Sequence, residues 1–496
     1  MNDRHPRDFI GRIGVARCDI TPPTGIYTGN WAAAKGHIAQ GIHRPLTATV
    51  LTLQENEPSN PLVLIAVDLG WWKNPWDERL IRQALLSALA LDEARLMIGL
   101  SHTHAGPAIC IEDAQQPGGQ FIKPYLQHVA AQLLAATRRA VDTAQSACLH
   151  WRYGQCNLAA VRDLPALGAP QRMLVGYNPQ VAPDTTLLVG RVTRQADGVV
   201  LATIVNYACH PTTLAWDNAL VSPDYVGAMR ELVEAATNRA PCLFLQGASG
   251  DLAPAEQYTG DVAVADRHGR QLGHAVLSQL EAMGPPEMEL AYTGALESGA
   301  SLALWRRKPA PGRSLLAAEC GAVELPLKKL PAVAELAATL AHCADPVQAE
   351  RLRRKLRIVR AVGGGSTSHL PFWIWRVGDA LIIGQPSEAY SLFQRCLRAR
   401  FGERPLVVAN LVNGTNGYLV PADRCHDGLY AFWSSVFDTG AFERLLDRCL
   451  VEAAALLDRS GPVTRAAAPP VLLPCRGNNQ EPAPPAQFAP TQRTAN

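Results

Sequence analysis

The sequence predicts an α/β fold in which mixed β-sheets are covered by helices, built as a single large domain. Segments with strand character alternate with segments of helical periodicity along most of the chain. Such alternation is typical of sheets layered against helices. Of the 496 residues, 48% are apolar and 18% are charged, which is an ordinary composition for a protein with a sizeable core.

The first half of the chain supplies predicted strands and helices in turn. Pro61–Asp68 is a continuous apolar run, which predicts a buried strand. Asp197-Gly198 separates the strand-like runs Thr185–Thr193 and Val199–Ala208, and this predicts a hairpin. The other predicted elements are a helix at Trp76–Leu91, a strand at Arg95–Ser101, helices at Lys123–Val141 and Asp224–Thr237, a strand at Cys242–Gln246 and a helix at Asp261–Met283.

The second half continues the alternation up to residue 460. Its predicted elements are a helix near Ala332–Val362, strands at Phe372–Val377 and Ala380–Ile383, a helix after Pro386, a strand at Pro405–Asn410 and a helix at Gly440–Asp458. The glycine run at 363–365 predicts a flexible loop, either a lid or a surface connector. The Pro/Ala-rich stretch 461–496 predicts a disordered tail, which leaves a flexible N-terminus at 1–9 and one domain at 10–460.

Composition and charge exclude several classes of function. The formal net charge is +2, with 46 basic and 44 acidic side chains, so we expect no nucleic-acid partner. The basic run at 351–355 is interpreted as a solvated helix face. The sequence contains no run of 18 apolar residues, so it predicts no transmembrane segment.

The N-terminus and the cysteines indicate where the protein works. The first residues contain no apolar core of a secretory signal. The 12 cysteines contain no Cys-x-x-Cys pair, and we expect free thiols in a reducing compartment. The sequence therefore predicts a cytoplasmic protein, and it leaves assembly into a homo-oligomer open.

Two histidine motifs follow predicted strands. Ser101-His102-Thr103-His104 comes directly after an apolar run, and side chains two apart on an extended segment point the same way. Neutral imidazoles are good zinc ligands, although a hydrogen-bonded histidine pair is the alternative. His210 ends a second apolar run, and ligand sites in α/β sheets gather beyond the carboxyl ends of strands.

A glycine-rich segment follows the predicted strand Cys242–Gln246. Gly247–Gly250 narrowly misses the Gly-x-Ser-x-Gly elbow of serine hydrolases, because Asp251 occupies the position of the last glycine. We therefore expect the glycines to let the backbone pass close to the site, and a nucleophilic Ser249 is the weaker alternative.

Taken together, these motifs resemble those of the neutral, non-lysosomal ceramidases and their smaller bacterial relatives. The resemblance runs through segments spread over most of residues 10–455, namely Gly14–Pro22, Gly41–His43, Ser101–Gly106, His210–Thr212, Gly250-Asp251 and Tyr418–Phe437. It implies a ceramidase-type catalytic domain at 10–460. Longer members carry a C-terminal immunoglobulin-like domain of about 100 residues, for which the stretch after Ser460 is too short.

The resemblance implies one Zn²⁺ and its ligands. In the family two histidines, a glutamate and a tyrosine hold the ion, which assigns His102 and His210 here. Gly384-Gln385-Pro386-Ser387-Glu388 offers Glu388, and Gly417-Tyr418 offers Tyr418. The set leaves the ion a net positive charge, so that it remains a strong Lewis acid.

The resemblance also implies three catalytic residues. His104 would accept a proton from the attacking water, and Tyr430 would donate to the oxyanion of the tetrahedral intermediate. Arg162 would bind the substrate, with an ion pair to Asp163 or Asp224 as the alternative. The family also places a serine where this chain has Ala253.

The predicted function is therefore zinc-dependent hydrolysis of the linear amide bond of an N-acyl substrate. The substrate is expected to be a ceramide-like lipid or a smaller metabolite. The alternatives are an esterase or lactonase, an amide-forming acyl transferase with the same zinc site, or a non-catalytic binding protein. The Ala253 substitution gives the last of these some weight, whereas the presence of all four ligands together with His104 and Tyr430 argues against it.

Overall fold

A computed structural model describes residues 6–56 and 60–459. The strands of this part, in chain order, are β1 (Phe9–Asp19), β2 (Gly41–Ile42), β3 (Thr47–Gln54), β4 (Leu62–Val67), β5 (Leu96–Leu100), β6 (Gln145–Gln155), β7 (Ala159–Val161), β8 (Asp163–Ala166), β9 (Ala169–Val175), β10 (Thr186–Arg194), β11 (Val200–Tyr207), β12 (Leu220–Val221), β13 (Cys242–Gln246), β14 (Leu252–Pro254), β15 (Met288–Glu297), β16 (Ser301–Pro309), β17 (Leu316–Pro326), β18 (Thr367–Val377), β19 (Ala380–Gly384), β20 (Glu388–Ala389), β21 (Leu406–Ala409) and β22 (Tyr418–Leu419).

Helices connect and cover these strands. In chain order they are α1 (Pro75–Leu89), α2 (Ile122–Asp142), α3 (Tyr225–Ala236), α4 (Val262–Ala282), α5 (Val333–Ala341), α6 (Pro346–Val362), α7 (Leu392–Phe401), α8 (Tyr430–Ser434) and α9 (Ala441–Arg459). None of these helices combines the length and the apolarity that a bilayer crossing requires.

Two mixed sheets form the centre of the fold. The larger has the order β13-β11-β10-β6-β1-β3-β4-β5, and the smaller has the order β17-β18-β19-β21. Most neighbours are antiparallel, but each edge of the larger sheet ends in a parallel pair, β4 with β5 and β11 with β13. A third parallel pair, β19 with β21, lies at one edge of the smaller sheet.

The packing is a four-layer arrangement of helix, sheet, sheet and helix. Along β4, Leu62 and Leu64 face a core shared with Trp373 and Trp375 of the smaller sheet. The alternate residues of β4 face a second core with α1 and α2, as expected when strand side chains alternate between faces. Helices α3 and α4 cover β10, β11 and β13, while α7 and α9 cover the outer face of the smaller sheet.

The predicted fold class and most of the predicted elements are confirmed. The continuous apolar runs became β4, β5 and β13, and the periodic segments became α1 to α4 and α9. The predicted hairpin is the antiparallel pair of β10 and β11.

Two predicted helices are corrected. The segment Ala332–Val362 is interrupted, because Asp345 caps a new helix that has Pro346 in its first turn. The helix expected after Pro386 begins at Leu392, because Glu388–Ala389 forms a short strand instead.

Several strands were not predicted, among them β1, β3, β6 and the hairpin of β15 and β16. That hairpin pairs with no other strand of the described residues and exposes Tyr292 and Trp305. The glycines 363–365 connect α6 to β18. The predicted tail, 461–496, lies outside the described residues, and the division into 1–9, 10–460 and 461–496 stays a prediction.

Candidate metal centre

The site lies where the three parallel strand pairs end. His102 and His104 follow β5, His210 follows β11, and Glu388 follows β19. The loop after β21 joins the two sheets here, since Asn413 accepts a hydrogen bond from the Ile98 amide at 2.8 Å. Carboxyl ends of parallel strands are the usual place for a ligand site, and here three such ends meet.

Two histidines face the same carboxylate oxygen. The Nε2 atom of His102 lies 3.2 Å from Glu388 Oε2, and that of His210 lies 3.0 Å from it. On the opposite side of each ring, Nδ1 donates to backbone carbonyls. His102 Nδ1 lies 3.1 Å from the Gly70 oxygen, and His210 Nδ1 lies 2.7 Å from the Ser249 oxygen.

This arrangement fits a bound cation. A carbonyl oxygen can only accept, so each ring carries its proton on Nδ1 and presents a bare lone pair at Nε2. Two nitrogen lone pairs and an ionised carboxylate oxygen then converge with no proton between them. Donation of the second ring nitrogen to a backbone carbonyl is also the usual support for a metal-ligating histidine.

Burial keeps the donors in the protonation states that a cation needs. Burial, with a contribution from Arg162, lowers the pKa of His210 to about 3, so the ring is neutral near pH 7. Burial raises the pKa of Glu388, and charged His102 and His210 would lower it well below its usual value; with both rings neutral, a bound cation would supply that positive charge instead.

Strand register brings Tyr418 to Glu388. The short strands β20 and β22 pair in parallel, with Glu388 opposite Tyr418. Side chains of paired residues lie on the same face of a sheet, so the carboxylate and the phenol are neighbours. Burial raises the pKa of Tyr418 well above 10 although Arg162 lowers it, so a nearby cation would be needed to favour the phenolate.

A glycine allows this strand to approach the site. The amide of Gly250 donates to the carbonyl oxygen of Ala389 at 2.9 Å. A Cβ atom at residue 250 would lie 2.7 Å from the backbone oxygen of Glu388. The expectation that these glycines permit close backbone approach therefore agrees with the packing here.

The His104 ring lies beside the donors and forms no side-chain hydrogen bond with a described residue. Both of its ring nitrogens are buried and have no partner among the described residues. Trp31 and Trp71 flank the ring, with centroids at 5.1 and 4.8 Å. Ligand atoms of His102, His104 and His210 all lie within 4.8 Å of one another, so His104 is within reach of the same ion.

The backbone around His102 differs from the extended segment expected for a His-x-His pair. Strand β5 ends at Leu100, and His102 has a φ of 70°, in the left-handed region. The rings of His102 and His104 still meet, at a centroid distance of 4.9 Å. Strained backbone of this kind is concentrated at functional sites.

Arg162 lies next to Tyr418. Its Nε donates to the Gly250 carbonyl at 3.0 Å, and its guanidinium lies 5.4 Å from the Tyr418 ring centroid. Its buried Nη2 has no partner among the described residues. There, Asp163 accepts from the Tyr390 hydroxyl and Asp224 accepts from backbone amides, so neither of the alternative ion pairs is formed. The guanidinium thus keeps a donor available.

The remaining predicted residues are also placed by the structure. Tyr430 begins α8, with its ring 5.9 Å from that of Tyr418 and 36% of the residue exposed. Ser249 is buried, and its hydroxyl receives a hydrogen bond from Gln246 at 2.6 Å while its carbonyl orients His210. Ala253 is buried in the pairing of β14 with β7.

Sequence reasoning missed the aromatic and cationic surroundings of the site. Trp31 contacts Trp216 and Tyr258, with centroids at 5.8 Å in both cases. The guanidinium of Arg354 lies 5.6 Å from the Trp71 centroid, although the basic run at 351–355 was interpreted as a solvated face. No motif identifies these residues. The spacing of Arg351 and Arg354 on a helix does not by itself indicate that Arg354 lies near a functional site.

The fold and the donor set define an α/β protein with a buried cluster of two histidines, a glutamate and a tyrosine between its sheets. The sequence profile of the family described as neutral/alkaline non-lysosomal ceramidase, N-terminal, matches residues 12–261. This match spans about half of the chain, and the chain belongs to that family. The resemblance inferred from the motifs is therefore confirmed.

Solved structures support the same fold. A crystal structure of neutral ceramidase from Pseudomonas aeruginosa is 18% identical with a TM-score of 0.65, and the alignment covers 94% of this chain and 77% of that chain. A structure of a ceramidase complexed with C2 is also 18% identical, with a TM-score of 0.63 and coverages of 94% and 78%. No curated protein sequence matches the chain.

Proposed function

We propose that this protein is a zinc-dependent hydrolase that cleaves the amide bond of an N-acyl substrate. One observation carries the proposal: the Nε2 lone pairs of His102 and His210 converge on an ionised oxygen of Glu388 with no proton to share. Those three residues, together with Tyr418, would hold the ion. Zinc bound there would supply a Lewis acid and lower the pKa of a water molecule towards neutrality.

His104 is suited to move the proton. Burial lowers its pKa well below the usual value, so the ring is neutral and one nitrogen carries a lone pair. Neither nitrogen is engaged by a described residue, so the unprotonated one can take a proton from the attacking water and return it to the leaving amine. The two flanking tryptophans restrict the access of bulk water to this ring.

Arg162 and Tyr430 would act on the substrate oxygen. Arg162 keeps one buried donor without a partner among the residues that the structure describes, and such a donor can bind the carbonyl that is attacked. Tyr430 is partly exposed beside Tyr418, and its hydroxyl can donate to the developing oxyanion. Preorganised donors of this kind are worth about 10²–10³ in turnover each.

The substrate is proposed to combine an acyl chain with an amine. The family and the solved ceramidases suggest ceramide or a related lipid, and a smaller N-acyl metabolite would use the same donors. Trp31, Trp216 and Tyr258 provide aromatic surface beside His104 for an apolar portion. An esterase, a lactonase or an amide-forming acyl transferase would need the same centre and differs in the products formed.

The test measures zinc content and amide turnover together. Wild type is expected to bind one zinc per chain and to release amine from N-acyl substrates. His210→Ala should lose both, because it removes a buried donor. His128→Ala is the matched control, since His128 is exposed on α2 and should leave both readouts unchanged.

Two outcomes would contradict the proposal. Wild type that takes up no zinc in the presence of excess metal and cleaves no amide would favour the non-catalytic interpretation. Turnover of oxygen esters with none of amides would favour the esterase.

A further inference from the structure

Two cations lie against one aromatic ring beside the centre. The Arg354 guanidinium, from α6, and the Lys73 ammonium each lie 5.6 Å from the Trp71 ring centroid. The same ring lies 4.8 Å from His104 and 5.8 Å from His102. Any group bound next to His104 therefore experiences both positive charges across a single ring.

A single carboxylate is shared by the arginines on this side of the centre. Glu350 pairs with Arg353 at 2.6 Å and with Arg354 at 2.9 Å, so one negative charge serves two guanidiniums. Lys73 is buried and donates to a neutral acceptor, the Gly29 carbonyl, at 2.5 Å. Burial lowers the pKa of Lys73 to about 8, which still leaves it mostly charged near pH 7.

The next carboxylates along the same surface are already engaged. Asp113 accepts from Arg357 at 2.6 Å, and Glu112 lies within 3.6 Å of Arg357 and 3.8 Å of Arg360. Within the described residues, neither of these carboxylates forms an ion pair with Arg354 or Lys73.

Arg354 also has a donor to spare. Its Nε binds Glu350, and its Nη2 donates to the Asn30 carbonyl at 2.9 Å. Its Nη1 makes no hydrogen bond with a described residue, and about a third of the side chain is exposed, at 31%. One N–H group of a fixed, ring-supported guanidinium is thus open to a ligand.

We propose that Arg354 recognises a carboxylate on the substrate, so that the centre prefers N-acyl compounds with an anionic group close to the amide. This inference rests on the proposed function and narrows its substrate class. A carboxylate would accept from the open donor of Arg354 and would be attracted by both cations at the Trp71 ring, and hydrogen bonds to charged groups are stronger than neutral ones. A neutral acceptor at the same place gains only the weaker hydrogen bond.

The experiment compares matched substrates. N-octanoylglycine carries the carboxylate on the amine portion, and N-octanoylethanolamine is its neutral counterpart. N-hexylglutaramate carries it on the acyl portion, and N-hexylpentanamide is the neutral counterpart there. Wild type should show a kcat/KM about 10- to 100-fold higher for at least one anionic member than for its partner, mainly through KM. The pair with the larger anionic-to-neutral ratio of kcat/KM identifies the portion of the substrate that faces Arg354.

Three variants test the residue itself. Arg354→Gln should lower the anionic-to-neutral ratio about tenfold, and Arg354→Lys should retain part of the ratio because it keeps the charge. Arg360→Gln, on the same helix and paired with Glu112, is the control and should keep the wild-type ratio. Melting temperatures show whether each variant is folded.

Binding separates this inference from the proposed function. Titration calorimetry on N-octanoylglycine, N-hexylglutaramate and their neutral counterparts requires no turnover. Wild type should bind at least one anionic member more tightly than its neutral counterpart, and Arg354→Gln should remove that difference even if no amide is cleaved. Equal binding within both pairs in wild type, or an equal loss for anionic and neutral compounds in Arg354→Gln, would overturn the inference.

Discussion

At the scale of single residues, His104 has two chemical options. It is close enough to His102 and His210 to be a third nitrogen ligand, and it is also neutral with two free nitrogens, as a proton carrier must be. Its contacts with Trp31 and Trp71 hold the ring without using either nitrogen. Removing the side chain distinguishes the two options.

We expect His104→Ala to keep its zinc and to lose about 10²–10⁴-fold in kcat, because loss of a general acid–base has this size. Metal analysis and steady-state kinetics on the same preparation measure both effects. A variant that loses zinc in parallel with His210→Ala would instead identify His104 as a ligand.

Some residues of the site could be predicted from the sequence and others could not. His102, His210, Glu388 and Tyr418 sit in short motifs at strand ends, and the structure brings the first three within hydrogen-bond distance and pairs the fourth with Glu388. Arg354 reaches Trp71 through tertiary packing of α6, which leaves no local pattern in the sequence.

At the scale of secondary structure, α6 depends on the residue that caps its N-terminus. The Asp345 carboxylate accepts hydrogen bonds from the amides of Val347 and Gln348, at 2.8 and 3.2 Å. The cap satisfies amides that would otherwise be unpaired and starts the helix after the break that follows α5.

We expect Asp345→Ala to lower the free energy of unfolding by about 1 kcal/mol. Hydrogen exchange should speed up in the first turns of α6 before it changes elsewhere. Denaturant titration and exchange mass spectrometry measure the two effects. Asp447→Ala, at an exposed position within α9, is the control, and a loss of the same size there would argue against a capping effect.

The same helix shows where periodicity fails as a guide. The segment Ala332–Val362 keeps helical spacing on both sides of Asp345, so the pattern alone joined two helices. Strands β1 and β3 were missed for a related reason, because polar residues such as Thr49 and Thr52 are buried within β3 and weaken its apolar run.

At the scale of the whole molecule, a buried ion pair joins layers. Arg230 of α3 binds Asp68, at the end of β4, through two hydrogen bonds of 2.7 and 2.8 Å. Asp68 is 1% exposed and also accepts from the Thr47 amide at 2.8 Å. The pair thus ties a helix over one edge of the larger sheet to a strand near the other edge.

We expect Arg230→Met to lower the free energy of unfolding by about 3–5 kcal/mol, because it leaves a buried carboxylate without its cation. Denaturant titration measures the loss. Arg194→Met removes an arginine from the exposed pair with Asp197 and should have little effect, because water screens that pair. Equal losses in the two variants would show that the buried pair has no special role.

The order of strands within the sheets could not be predicted from the sequence. Alternation of elements indicates layers of helix and sheet. It does not indicate that β5 and β13, which form opposite edges of one sheet, both lie beside the candidate metal centre. The loop after β21 of the smaller sheet forms hydrogen bonds with both strands, through Asn413 to β5 and through Asn410 to β13. Contacts between residues so far apart in the chain leave no local pattern in the sequence.

The separation of the donors along the chain has a consequence for biosynthesis. His102 and His210 leave the ribosome before Glu388 and Tyr418, which follow His210 by 178 residues or more. Domains generally fold as units during synthesis. A nascent chain that has not yet reached residue 388 would therefore carry two imidazoles without their carboxylate, and metal loading would have to follow the synthesis of this later segment.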